Sequence, residues 1–106
     1  MKFAHLSEMT GGWFVGDFQP SVLGTSAFEA GIKKYKAGDI DAKHFHKIAT
    51  EITVIISGRA EMAGREVSEG DIIVVEPNDI IQFKALTDVA LAVIKTPSVK
   101  NDKYVE

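Results

Sequence analysis

The sequence predicts an all-β domain, a sandwich or small barrel of short antiparallel strands. Two observations carry this expectation. Runs rich in β-branched residues recur about every 8–12 residues, each bounded by turn formers. No window offers a convincing long amphipathic helix, because the one stretch with some i, i+4 spacing, "KHFHKIATEITVI", is full of histidines and β-branched residues. At 106 residues, 45% hydrophobic and 25% charged, the chain suits one domain over 1–106 that can bury a core.

Taken in order, "AFEAGIKKY" (27–35) alternates Phe28, Ala30 and Ile32 with Glu29, Gly31 and Lys33, the pattern of a half-buried strand. The "KHFHKIATEITVI" stretch reads as a strand pair around the turn "KIAT". Further strands are predicted at "EITVIIS" (51–57), "DIIVVE" (71–76), "DIIQFKAL" (79–86) and "DVALAVIK" (88–95). Chain reversals are expected at 37–39, 57–59, 63–66, 68–71 and 76–79, where glycine tolerates positive φ and Asn or Asp supports tight turns. The polar tail "TPSVKNDKYVE" is expected to run over the surface. No internal repeat, linker or low-complexity segment interrupts the chain.

Composition excludes several classes of function. A net charge of −3 and scattered lysines argue against a nucleic-acid surface. With no cysteine there is no disulfide, thiolate metal site or Cys nucleophile, so a metal would need imidazole, carboxylate, amide or water. No apolar run approaches the ~18 residues of a membrane-spanning helix, and "MKFAHLSEMTGG" lacks the apolar centre of a signal peptide. The expectation is a cytoplasmic protein without membrane contact.

The chemistry concentrates in "GDIDAKHFHKIATEITVIISG", Gly38–Gly58, which holds two of the three histidines. Residues two apart in a strand share a face, with Cα atoms roughly 6.5–7 Å apart. His44 and His46 therefore project together, opposite Lys43, Phe45 and Lys47. An antiparallel return after "KIAT" brings Glu51 beside them. Two imidazoles and a carboxylate form a set that leaves coordination positions open and suits Fe(II), Mn(II) or Zn(II). The competing reading is a pair of packed histidines and an ordinary strand-edge carboxylate.

This stretch resembles the first signature of the cupin superfamily: Gly, five residues, His-x-His, three or four residues, Glu, six residues, Gly. Gly38, His44, His46, Glu51 and Gly58 all fall in register. The second signature is Gly, five residues, Pro-x-Gly, two residues, His, and Asn after three more. Its counterpart "GDIIVVEPNDIIQFKAL" is degenerate. Pro77 follows Gly70 after six residues, Asp79 stands for the second glycine, Gln82 for the histidine and Leu86 for the asparagine.

The resemblance implies a double-stranded β-helix, a conical jelly-roll barrel with its site inside the cone. It implies one divalent ion (Zn, Fe, Mn or Ni) on His44, His46 and Glu51, with the Gln82 carbonyl oxygen as a fourth donor. A neutral amide binds more weakly than imidazole. It also implies a homodimer and a small-molecule ligand; an N-terminal segment packing across a sheet edge would likewise hide unpaired strand groups. Lewis-acid chemistry on a sugar or small carbonyl or carboxylate compound, of isomerase or lyase type, is the leading expectation, with Fe(II) oxygen chemistry the other enzymatic option. The tail resembles those of stand-alone cupins of carbohydrate metabolism. The rival readings are a non-catalytic sugar-binding or sensing cupin and a metal-free structural one.

Among the remaining residues, Gly38, Gly58, Gly70 and Pro77 read as turn and loop formers. Trp13, Phe14 and Phe18 read as core or interface, and His5 has no evident partner. Tyr35, Lys33 and Lys84 read as solvent-facing, with the barrel mouth as their alternative.

Overall fold

The computed structural model describes all 106 residues, Met1–Glu106. Eleven strands form two facing sheets: β1 (Trp13–Gly16), β2 (Leu23–Gly24), β3 (Glu29–Tyr35), β4 (Ile40–Phe45), β5 (Thr50–Ser57), β6 (Arg59–Met62), β7 (Arg65–Ser68), β8 (Ile72–Val75), β9 (Ile81–Ala85), β10 (Val89–Thr96) and β11 (Tyr104–Val105). One sheet has the order β2-β1-β3-β10-β5-β8 and the other β11-β4-β9-β6-β7. All pairings are antiparallel except the short β1–β2 contact. The helical content is one 3₁₀ turn, Leu6–Glu8, which His5 caps by accepting the Ser7 backbone N–H at 3.1 Å. No helix is long and apolar enough to cross a membrane.

The core lies between the sheets at one end. Ile55 and Leu91 meet Ala60, Met62, Phe83 and Ala85 there, all within a few per cent of full burial. Burying such side chains stabilises the fold by roughly 1.5–3 kcal/mol each. Gly58, between β5 and β6, takes φ +89°, and a Cβ at this position would stand 2.1 Å from the Asp88 carbonyl oxygen. This close approach of two backbones explains why a glycine opens the crossing between the sheets.

Several elements depart from expectation. The segment 59–68 forms the β6–β7 hairpin, turning through Ala63 (φ 49°) and Gly64 (φ 77°), the left-handed pair that suits a two-residue hairpin loop. The tail does not simply run over the surface. Ser98 and Asp102 are buried, and β11 pairs with β4. In β3 the side chains turned inward are Lys33 and Tyr35, on the Gly31 side of the strand, while Ala30 and Ile32 belong to the outer face.

Candidate metal and ligand site

At the open end of the sandwich the two sheets leave a cavity of about 270 Å³. His44, His46, Glu51, Asp41, Lys33 and Lys95 line it, with Trp13, Tyr35 and Lys103, above a floor that includes Met62, Ile81, Phe83 and Leu91. A larger cleft of about 580 Å³ opens beside β7 and β8, but its lining is mostly apolar and holds no histidine.

His44 comes from β4, where the register slips between Asp41 and His44 as the strand runs against β9. The extra residue turns Asp41 and His44 to the same side, a local re-aiming that bulges provide. Phe45 points away and stacks on Tyr104 of β11 at 5.5 Å, and the Lys47 ammonium sits 4.3 Å from that ring. The His44 Nδ1–H donates to the Ala42 carbonyl at 2.9 Å, so the neutral ring carries its lone pair on Nε2. His46 follows directly, its ring 5.5 Å from that of His44 and nearly perpendicular to it.

His46 is 2% exposed, and neither of its ring nitrogens has a hydrogen-bond partner. Buried polar groups are nearly always satisfied, so an orphaned imidazole calls for a partner from outside the chain, an ion or a water. Burial, with Lys95 and His44 adding to it, lowers the His46 pKa to about 4. Near neutral pH the ring is therefore unprotonated and able to donate a lone pair.

Glu51 arrives on β5, with its side chain on the pocket face. Burial raises its pKa, with Lys95 and His44 pulling the other way. Lys95 lies opposite Glu51 across the β10–β5 pair. Its ammonium is 5.2 Å from the Trp13 ring centre and makes no contact within 4 Å with a carboxylate; Arg59–Glu66 is the ion pair the structure forms. Lys33 flanks the same ring at 4.6 Å and donates to the Gly11 carbonyl at 2.6 Å. Trp13 fits between the two because residue 31 is glycine: a Cβ there would stand 2.9 Å from the indole. Burial and the Lys95 charge together lower the Lys33 pKa. Tyr35 donates to Asp41 at 3.3 Å, and burial together with that carboxylate pushes its phenol well above the usual value.

The loop from His46 to Glu51 is fixed by Asp102, a residue that sequence reasoning passed over. Its carboxylate accepts the backbone N–H groups of Lys47 (3.0 Å), Ile48 (3.1 Å) and Ala49 (2.9 Å). Burial works against ionisation here, but the three N–H donors outweigh it and hold the carboxyl below its usual pKa.

The structure thus brings His44, His46 and Glu51 to one cavity, but no three His, Asp or Glu side chains converge closely enough to enclose a metal ion as they stand. As a donor set they suit a divalent cation, through a freed Nε2, an orphaned imidazole and a buried carboxylate without a contacting cation. Gln82 is not among them. It is exposed on β9, between the buried Ile81 and Phe83, and the alternation of the strand turns it to the outer face. Counting the second signature from Gly70 without the extra residue puts its glycine at Asn78, which adopts φ 73°, and its histidine at Ile81. Ile81 is the residue paired with His44, so an apolar side chain holds the fourth position. Lys84 also faces outward, whereas Tyr35 and Lys33 face the cavity.

No family model matches the chain, and no curated protein matches it. Solved structures do. An uncharacterised conserved protein with a double-stranded beta-helix domain from Klebsiella pneumoniae is 18% identical with a TM-score of 0.70, over 76% of this chain and 71% of that one. A cupin protein from Bacteroides fragilis is 23% identical, TM-score 0.60, over 76% and 75%. The DMSP lyase DddQ from Ruegeria pomeroyi is 18% identical, TM-score 0.67, over 77% of this chain and 44% of that one. At this identity the likeness establishes the fold: the chain is a small cupin-type double-stranded β-helix.

Proposed function

We propose that this chain is a metal-binding small cupin that acts on, or captures, a small oxygen-rich anion. The ion would be held by His44 Nε2, His46 and the Glu51 carboxylate. The observation that carries this reading is His46, whose two buried ring nitrogens are unpartnered in the same cavity as the Glu51 carboxylate, which no cation touches. When bound, a divalent ion would supply Lewis-acid polarisation of a ligand oxygen.

The chain's own groups set the ligand class. Lys33, Lys95 and Lys103 outnumber Asp41 and Glu51 on the cavity wall, so the pocket favours a negatively charged ligand even before a cation is added. A volume near 270 Å³ suits a molecule the size of a sugar acid or another small carboxylate. Lys33 and Lys95 would take its carboxylate, with the Trp13 face between them. The Tyr35–Asp41 pair holds a proton on the phenol; passing that proton to the Asp41 carboxylate would let the phenol oxygen take one from a ligand, and the reverse transfer would return it. These parts suit isomerase- or lyase-type proton movement beside a carbonyl, and one fold neighbour, the DMSP lyase DddQ, supports such chemistry in this architecture.

A second reading is favoured by the lack of a converged three-ligand cage: a binding module that takes the same carboxylate on its lysines without a metal. Trp13, the chain's one tryptophan, lines the cavity and reports on both. Chelator-stripped protein is titrated with Zn, Mn, Fe(II) and Ni, then with small carboxylates and uronates. The proposal predicts a saturable change in indole emission with a metal, and tighter carboxylate binding in its presence. Carboxylate binding that is indifferent to every metal would establish the second reading instead.

A further inference from the structure

The cavity that holds the candidate ligands does not end at His46 and Lys95. A second chamber of about 350 Å³ lies beside it, and His46, Lys95 and Lys103 line both. The strand register accounts for the continuity. Glu51, Lys95 and Glu29 stand opposite one another across β5, β10 and β3, on strands about 4.8 Å apart. Of this inward row, Glu51 faces the first chamber, Glu29 the second, and Lys95 both.

The far wall of the second chamber is the C-terminal tail, through Val99, Asn101, Asp102 and Lys103. The chain anchors this wall on both sides. Before it, the Ser98 N–H donates to the Ser26 carbonyl at 3.0 Å, and the Ser98 hydroxyl accepts the Asp17 N–H at 3.0 Å. At its other end come Asp102 with its three backbone donors and the pairing of β11 with β4. Held in this way, the tail spans a gap beside Glu29 and Lys95 instead of packing onto them. A wall fixed before a ligand arrives spares the cost of ordering one on binding. The volumes point the same way. Small-molecule sites span roughly 300–1,000 Å³, a range that the first chamber alone falls short of and the two together occupy.

Charge distinguishes the chambers. In the first, three lysines face two carboxylates. In the second, Lys95 and Lys103 are balanced by Glu29 and Asp102, and the Asn101 amide adds both a donor and an acceptor. A balanced polar lining of this kind fits neutral hydroxyl groups better than a second carboxylate. We infer that the ligand is a sugar acid joined to a second, neutral sugar unit, with its carboxylate in the first chamber and its hydroxyl-rich unit against the tail. The inference rests on the carboxylate-binding part of the proposed function and needs no metal.

Gluconate and lactobionate make a matched pair of probes, the second being a gluconate that carries one galactose. Titration calorimetry of the full chain, both chelator-stripped and Zn-loaded, reads the ratio of their affinities. Lactobionate is expected to bind the wild type about tenfold more tightly or better, which corresponds to ~1.4 kcal/mol. Val99→Trp fills the second chamber, and Asn101→Gly removes the amide at a φ of 60° that glycine accepts. Each should bring the ratio toward one. Gluconate binding with no preference for lactobionate in the wild type would overturn the inference and leave the proposed function standing. A preference that survives both substitutions would also overturn it, because the galactose would then lie elsewhere. Binding of neither probe would overturn the inference together with the carboxylate-binding reading beneath it. The Asn101→Gly ratio decides the matter even where Val99→Trp does not fold.

Discussion

Asp102 accepts the backbone N–H of Ala49 at 2.9 Å, tying the C-terminal tail to the loop that separates His46 from Glu51. With the Lys47 and Ile48 donors it forms a carboxylate nest that sets the spacing of two candidate ligands. Asp102→Asn keeps one acceptor and presents an amide to the donors that lose theirs. We predict a loss of about 2 kcal/mol in stability by urea unfolding, the scale of hydrogen bonds to a charged group, together with weaker metal binding. Because the folded pKa is depressed, the Asp102 contribution is present above the ordinary carboxylate range. It fades as pH falls through the lowered value.

His46 imposes its own pH dependence on the metal-free protein. Its pKa falls from 6.5 to about 4 on folding. The unfolded chain therefore binds more protons between those values, and stability falls as pH drops through that window. Melting temperatures of wild type and His46→Gln across pH 7.5 to about 4 check this. The wild type should lose stability over the interval, and the variant should show a flatter profile.

Glu51 is a buried carboxylate whose pKa is raised, so its ionisation costs stability as pH rises above 4.5. Glu51→Gln should stabilise the metal-free protein at neutral pH by on the order of 1 kcal/mol, a rise of roughly 4–8 °C in melting temperature for a domain of this size. The same change should remove metal binding. A variant that is less stable than wild type would mean that Glu51 is a structural hydrogen-bonding group.

The outward position of Gln82 predicts that Gln82→Ala leaves metal affinity unchanged. Ile81→His, on the inward position beside His44, should add a fourth donor and tighten binding by about tenfold or more, which corresponds to ~1.4 kcal/mol. Titration calorimetry on the two variants separates the positions.

The fold and the placement of His44, His46 and Glu51 in one cavity were legible because both rest on period and spacing. Apolar–polar alternation marked β3, β-branched runs marked β5, β8, β9 and β10, and the single-residue gap between His44 and His46 placed both rings on one face. The β6–β7 hairpin was not legible, since "RAEM" and "REVS" carry as much charge as a turn, and only pairing with each other and with β9 makes them strands. Gln82 falls on the outer face because one extra residue before Pro77 shifts a count anchored on the proline, and a one-residue shift exchanges the faces of a strand. Asp102, Lys95 and Trp13 reach the site through contacts distant in sequence, which no local pattern records.

The most direct test is metal content, measured by elemental analysis of protein purified without a chelator or metal-affinity tag and then reconstituted with Zn, Mn, Fe or Ni. The proposal predicts close to one ion per chain in the wild type and in Gln82→Ala, and none in His44→Ala or His46→Ala. A wild type that holds no metal after every reconstitution, or a His46→Ala variant that holds as much as the wild type, would contradict it.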